Sequence, residues 1–279
     1  MPIHDQSYRR YRGGKALPGQ AWAVIARAGI MNMIRKRTFM GLLIFAWFPF
    51  IGRAIQIYVT ANYPQVAMFA PTAETFRQFL EQQETFVFFV TIYVGAGLIA
   101  SDRRANALQI YLSKPLMRTE YIFGKAAILF AFLLFVTLVP ALLLLVIQVL
   151  FAGSFAFLKK NLFLFPAITV AAVLQAILAT FTMLALSSLS KSTRYVGILY
   201  AGIIFFTAAI YGAMLAITGS TRLSWLSLGA NLTQVVDVIF RLKPRYATPW
   251  PVSLIVILGL VALSISVLER RVRGVEVVT

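Results

Sequence analysis

Six blocks of apolar residues, too long and too unbroken for the core of a soluble domain of this size, constrain the fold more than any other feature. They run over about 39–59, 85–100, 126–151, 165–189, 195–218 and 251–268. In hydrocarbon every backbone N–H and C=O has to be satisfied within its own segment, and about 20 apolar residues in a helix cross the bilayer. The expected fold class is an all-α polytopic membrane protein with six transmembrane helices. A composition of 60% apolar and 13% charged residues agrees.

A net charge of +17 resembles that of a nucleic-acid-binding protein, but in a membrane protein the position of each charge along the chain decides its meaning. With six spans both ends lie on one side, and 18 Lys and Arg fall on that side against 7 on the other. The excess places both termini in the cytoplasm of a multi-pass cell-membrane (inner or plasma membrane) protein, and no nucleic-acid partner is expected. One loop runs against the rule: the long outer loop, about 219–250, carries Arg222, Arg241, Lys243 and Arg245.

The chain divides into a leader with an interfacial helix, 1–37, and a six-span domain, 38–279. Residues 1–20 are polar and basic, with no apolar core for a cleavable signal, and are expected to stay in the cytoplasm. From 21 to 37, Trp22, Ile25, Ala26, Gly29, Ile30, Met33 and Ile34 repeat at helical spacing while Arg27, Asn32, Arg35 and Lys36 lie elsewhere on the wheel. This reads as an amphipathic helix in the membrane interface, or as a polar lead-in to the first span. That span is interrupted by Pro49, Arg53 and Gln56. Arg53 is the one basic residue inside a span, and it marks either a functional position or a side chain that reaches the outer headgroups. The loop 60–84 is expected outside and holds Glu74, Glu81 and Glu84 against Arg77. Gly95, Ala96 and Gly97 at the end of the second span allow close helix contact, and Pro140 falls inside the third.

Several chemistries are excluded. There is no cysteine and a single histidine, His4, so thiol, haem and His/Cys metal sites have no ligands, and no cofactor is expected on the chain. Gly124 and Lys125 resemble the end of a phosphate-binding loop, but Thr119 stands where the first glycine belongs. None of the nine acids falls deep inside a span, which argues against an ion-coupled carrier. The chain is not expected to be an enzyme. Phe86, Phe88, Phe89, Phe130, Phe132 and Phe135 are expected to face lipid or neighbouring helices rather than a substrate path. Asn231-Leu232-Thr233 fits a glycosylation acceptor, a triplet common by chance.

The charged stretch 101–125 stands apart from the apolar blocks around it. Ser101 and Asp102 form a helix start, Ala105, Leu108 and Leu112 share a face, and Pro115 ends the helix. A short helix over about 101–115 is expected, presenting Arg103, Arg104 and Lys114 to the cytoplasm. On residues alone, it is equally a positive loop that only fixes orientation.

The stretch resembles the second cytoplasmic loop of type-2 ABC-transporter permeases, the six-span subunits of exporters. The resemblance rests on Gly97, Asp102 with Arg103, Leu108, Leu112, Ser113 with Pro115, Tyr121, and Gly124 with Lys125. The amphipathic helix before the first span and the long outer loop also resemble that family. The resemblance implies a permease subunit whose coupling helix docks on a separate ABC ATPase, with Asp102, Arg103, Arg104, Leu108, Leu112, Pro115 and Lys125 as coupling residues. It also implies two ATPase copies and a second permease, identical or different, and leaves the substrate unassigned. The alternative is a membrane scaffold or mechanical transmitter, driven by an ATPase but without a substrate path of its own.

Overall fold

The computed structural model describes residues 21–107, 117–151 and 162–272. Every regular element among the described residues is helical, in the order α1 (Ala21–Ile34), α2 (Arg37–Ala46), α3 (Phe48–Asn62), α4 (Ala73–Val90), α5 (Ala100–Arg104), α6 (Arg118–Val136), α7 (Leu138–Phe151), α8 (Leu164–Leu189), α9 (Thr193–Thr218), α10 (Leu228–Ile239) and α11 (Trp250–Arg271). Six helices or helix pairs are long and apolar enough to cross a membrane: α2 with α3, α4 through α5, α6 with α7, and α8, α9 and α11 each alone.

Two of the pairs are split by proline. A proline lacks an N–H and its ring crowds the carbonyl four residues earlier. Accordingly α6 ends at Val136, four before Pro140, and α2 ends at Ala46, with Pro49 in the first turn of α3. Thr137 softens its break by donating its hydroxyl to the Leu133 carbonyl at 2.8 Å.

The second span is longer than its hydropathy indicates. Helix begins at Ala73, so the loop expected over 60–84 ends at Thr72, and the segment from Ala73 to Arg104 counts 32 residues. About 20 residues fill the apolar thickness of a bilayer, so roughly a dozen project beyond it. Those residues alternate charge with Phe76, Phe79 and Leu80, which are buried against α3, α7 and α8, and with Gln83, which is buried and donates to the Ala46 carbonyl at the end of α2.

The fourth span, α8, is the bundle's central helix. It packs against α4, α6, α7, α9, α10 and α11 and is the most buried span, whereas α9 buries only Val196, Gly197 and Tyr200. Three apolar clusters result, one around Ile99, Leu129 and Met183, one around Phe79, Leu144 and Ile168, and a smaller one around Leu178, Leu232 and Ile257.

The α1 helix lies along α6, and Arg37 begins α2. A Cβ on Gly124 would sit 2.8 Å from Ile25 Cβ and 3.0 Å from the Trp22 carbonyl oxygen, so glycine sets this approach. Trp22, Val24, Met31 and Ile34 remain exposed on α1. The helix-compatible part of the loop 219–250 forms α10, which packs on α11 and α8. Asn231 is fully buried there and donates to the Trp225 and Ser227 carbonyls at 2.7 and 2.8 Å, which rules out use of its amide as a sugar acceptor.

Candidate functional site

The second span does not stay α-helical to its end. At Thr91–Gly95 it widens into a π turn, and over 96–99 it passes through turns before α5 begins. A Cβ on Gly95 would lie 2.4 Å from Met183 Cγ, so α8 reaches the backbone at this position only because no side chain intervenes. The close approach lets Ser187 of α8 repair the break. Its hydroxyl accepts from the Ile99 and Ala100 amides at 3.1 and 3.0 Å and donates to the Ala96 carbonyl at 2.9 Å.

The five residues of α5 are then fixed on two sides. Asp102 Oδ2 lies 2.7 Å from Lys125 Nζ and accepts the Tyr121 hydroxyl at 2.7 Å, both from the first turns of α6. The Lys125 ammonium also sits 5.5 Å from the centre of the Tyr121 ring, within reach of its π face. On the other side, Arg103 donates to the Ser188 carbonyl at the C-terminal end of α8, where the unpaired carbonyls of a helix attract a cation. Arg104 alone of this group is exposed.

Of the residues that carry the sequence pattern, Asp102, Tyr121 and Lys125 thus come together in one contact, and Gly124 sets the α1 crossing beside them. Arg103 is turned into the bundle rather than outward as expected, because the end of α8 offers it an acceptor. Nor does one helix run unbroken from Asp102 to Pro115: α5 stops at Arg104, and Asn106 adopts a left-handed φ of 52°. Leu108, Leu112 and Pro115, with Ser113 and Lys114, lie outside the described residues. Met117 resumes the chain, its amide donating to Glu120 at 3.1 Å as α6 begins.

A second charged group, not anticipated as a unit, lies at the opposite end of the bundle. Arg77 of α4 is buried and pairs with Glu81 at 2.8 Å, Asp237 of α10 at 3.5 Å and Glu74 at 3.8 Å. Arg245 pairs with the same Glu81 at 3.0 Å and with Asp237 at 3.2 Å. The spacing of Glu74, Arg77 and Glu81 is a helical pairing signal, but nothing local joins them to residues more than 150 positions away. Burial, helped by the charges of Glu81 and Glu74, outweighs the Arg77 guanidinium and pushes the Asp237 carboxyl up to about 6. Arg53 finds three neutral acceptors, the side-chain oxygens of Gln56, Gln78 and Gln82 at 2.9, 3.2 and 3.4 Å, so its charge is solvated by amides in place.

A helical bundle with six spans is the fold that the sequence implied, and residues 23–272 match the family model described as ABC-2 family transporter protein. The chain belongs to the ABC-2 transporter family. No curated protein matches it. It is therefore an ABC transporter permease subunit, a multi-pass protein of the cell membrane. Permeases of this family are membrane subunits, typically non-catalytic, that work with ABC ATPase subunits.

Proposed function

We propose that this permease is the membrane subunit of an exporter, and that its partner ATPase grips the segment 101–115 and drives the spans through it. The observation that carries this reading is the double fixation of α5, to α6 through Asp102, Tyr121 and Lys125 and to α8 through Arg103, Ser187 and Ser188. A segment held this way cannot move without displacing two spans, and packed elements pass on rigid shifts because they switch rather than deform. Leu108, Leu112 and the exposed Arg104 are the partner-facing residues in this reading, while Asp102, Arg103 and Lys125 anchor the lever.

Charge supports the orientation with both termini in the cytoplasm. Arg77 and Arg245, two of the basic residues that run against the positive-inside rule, are paired with Glu74, Glu81 and Asp237. The working unit is two permeases, identical or different, with two ATPases. The largely uncovered α9 leaves a face for the second permease.

The test uses the permease assembled with its ATPase in nanodiscs, with spin labels on Phe123→Cys of α6 and Ile255→Cys of α11, both exposed positions. ATP is expected to change the label separation. Asp102→Asn combined with Lys125→Gln is expected to abolish the change while the ATPase stays bound. An unaltered ATP response in that double variant would overturn the lever.

A further inference from the structure

A cavity of about 110 Å³ lies between α4, α8, α9 and α10, and its polar wall is unlike its apolar surroundings. Glu84 of α4 and Gln175 of α8 line it, with Thr182 two turns further along the same face of α8. Gln175 is 6% exposed and has no hydrogen-bond partner among the described residues. The Thr182 hydroxyl, likewise buried, has none either. Glu84 receives no ion pair from the neighbouring Arg77, whose contacts go to Glu74, Glu81 and Asp237. Buried polar groups without partners are rare because each costs the water it has lost. Thr182 Oγ1 is such a group, and with the unpaired Gln175 amide and the half-buried Glu84 carboxyl on the same space it marks a place where something else supplies the partners.

We propose that this cavity binds the cationic head group of an amphiphile, an alkylammonium in chemical class. A carboxylate, an amide oxygen and a hydroxyl are acceptors, and a second anion placed against Glu84 would be repelled. Phe88 and Tyr200, whose rings stack 6.0 Å apart, form part of the same wall and give it an aromatic surface. Aliphatic side chains from all four helices complete the lining and suit the first methylenes of a tail. The charge nearby has the same sign. A smaller cavity of about 20 Å³, large enough for one water, shares Glu84 and Gln175 with the first and reaches Arg77, Glu81 and Arg245. Around the two cavities Glu74, Glu81, Glu84 and Asp237 outnumber Arg77 and Arg245, so the approach from that end favours a cation. Binding at this site does not depend on whether the permease exports what it binds.

The experiment is equilibrium binding of radiolabelled dodecyltrimethylammonium to the full chain in neutral phosphatidylcholine nanodiscs, with dodecanol and dodecyl sulfate as competitors. Saturable binding of one cation per chain is expected, displaced by neither competitor and weakened at least tenfold by Glu84→Gln. Glu269→Gln, at an exposed position of α11 outside both cavity walls, is expected to leave it unchanged. On the unaltered chain, the cation is expected to slow carbodiimide labelling of Glu84, and dodecanol is not, which reads the site without relying on a variant that folds. Non-saturable uptake, equal binding to the Glu84→Gln chain, effective competition by dodecanol or dodecyl sulfate, or unslowed labelling would each overturn the proposal.

Discussion

Through a single hydroxyl, Ser187 holds three backbone groups of a neighbouring helix. Each is buried, and each loses its partner if the hydroxyl is removed. An unsatisfied buried group costs about 1–3 kcal/mol, so Ser187→Ala is expected to destabilise the chain by at least about 2 kcal/mol. Thermal unfolding in detergent checks this, and a midpoint equal to that of the wild type would show that the break after the π turn is held by other means. Nothing in the sequence marks Ser187, a small polar residue near a helix end and nearly ninety positions from the amides it caps. Asp102, Tyr121 and Lys125 were legible because they fall within one stretch whose spacing forms a pattern. Their mutual contact was not, since it needs two helices to cross at one angle. Arg103 was legible as a charge but not in its direction, which the carbonyls at the end of α8 decide.

At the scale of elements, helix periodicity and proline placement predicted most of what formed. The beginning of α4 escaped because hydropathy averages over faces. Glu74, Glu81 and Glu84 mask the buried Phe76, Phe79 and Leu80, and the twelve residues of α4 before the apolar block read as loop. The α10 element was visible as a helix-compatible run, but its attachment to α4 was not, because that rests on Arg77 meeting Asp237. This attachment titrates. An isolated aspartate loses its proton near 3.8, whereas Asp237 in the folded chain holds it to about 6. The folded state therefore binds the proton more tightly, and the stability this contributes is full below about pH 4 and lost as pH rises through 6. Neighbouring acids titrate in the same region, so the informative quantity is the unfolding midpoint of the wild type minus that of Asp237→Asn. That difference is expected to fall as pH rises from 4 to 7. A flat or rising difference would mean that Arg77 and Arg245 dominate the carboxyl instead.

On the scale of the whole molecule, composition and block length were sufficient for the six-span class, and the charge bias pointed to an orientation. The basic residues of the loop 219–250 blurred that bias because charge counting ignores neutralisation, and Arg245 is neutralised by Glu81 and Asp237 across the bundle. The cavity beside Glu84 could not be read from the chain at all, since its walls come from four helices far apart in sequence. The functional account joins these levels: an apolar bundle, a turn after its second span braced on two helices, and a partner that grips the turn. Its central claim is that an ABC ATPase binds through the segment 101–115. Co-purification with a tagged chain, with and without Leu108→Asp, tests it most directly. The unmodified chain is expected to bring down an ABC ATPase identified by mass spectrometry, and the variant, eluting at the same size in detergent when isolated alone, is expected to lose it. An unmodified chain that captures no ATPase, or a variant that retains it undiminished, would contradict the account.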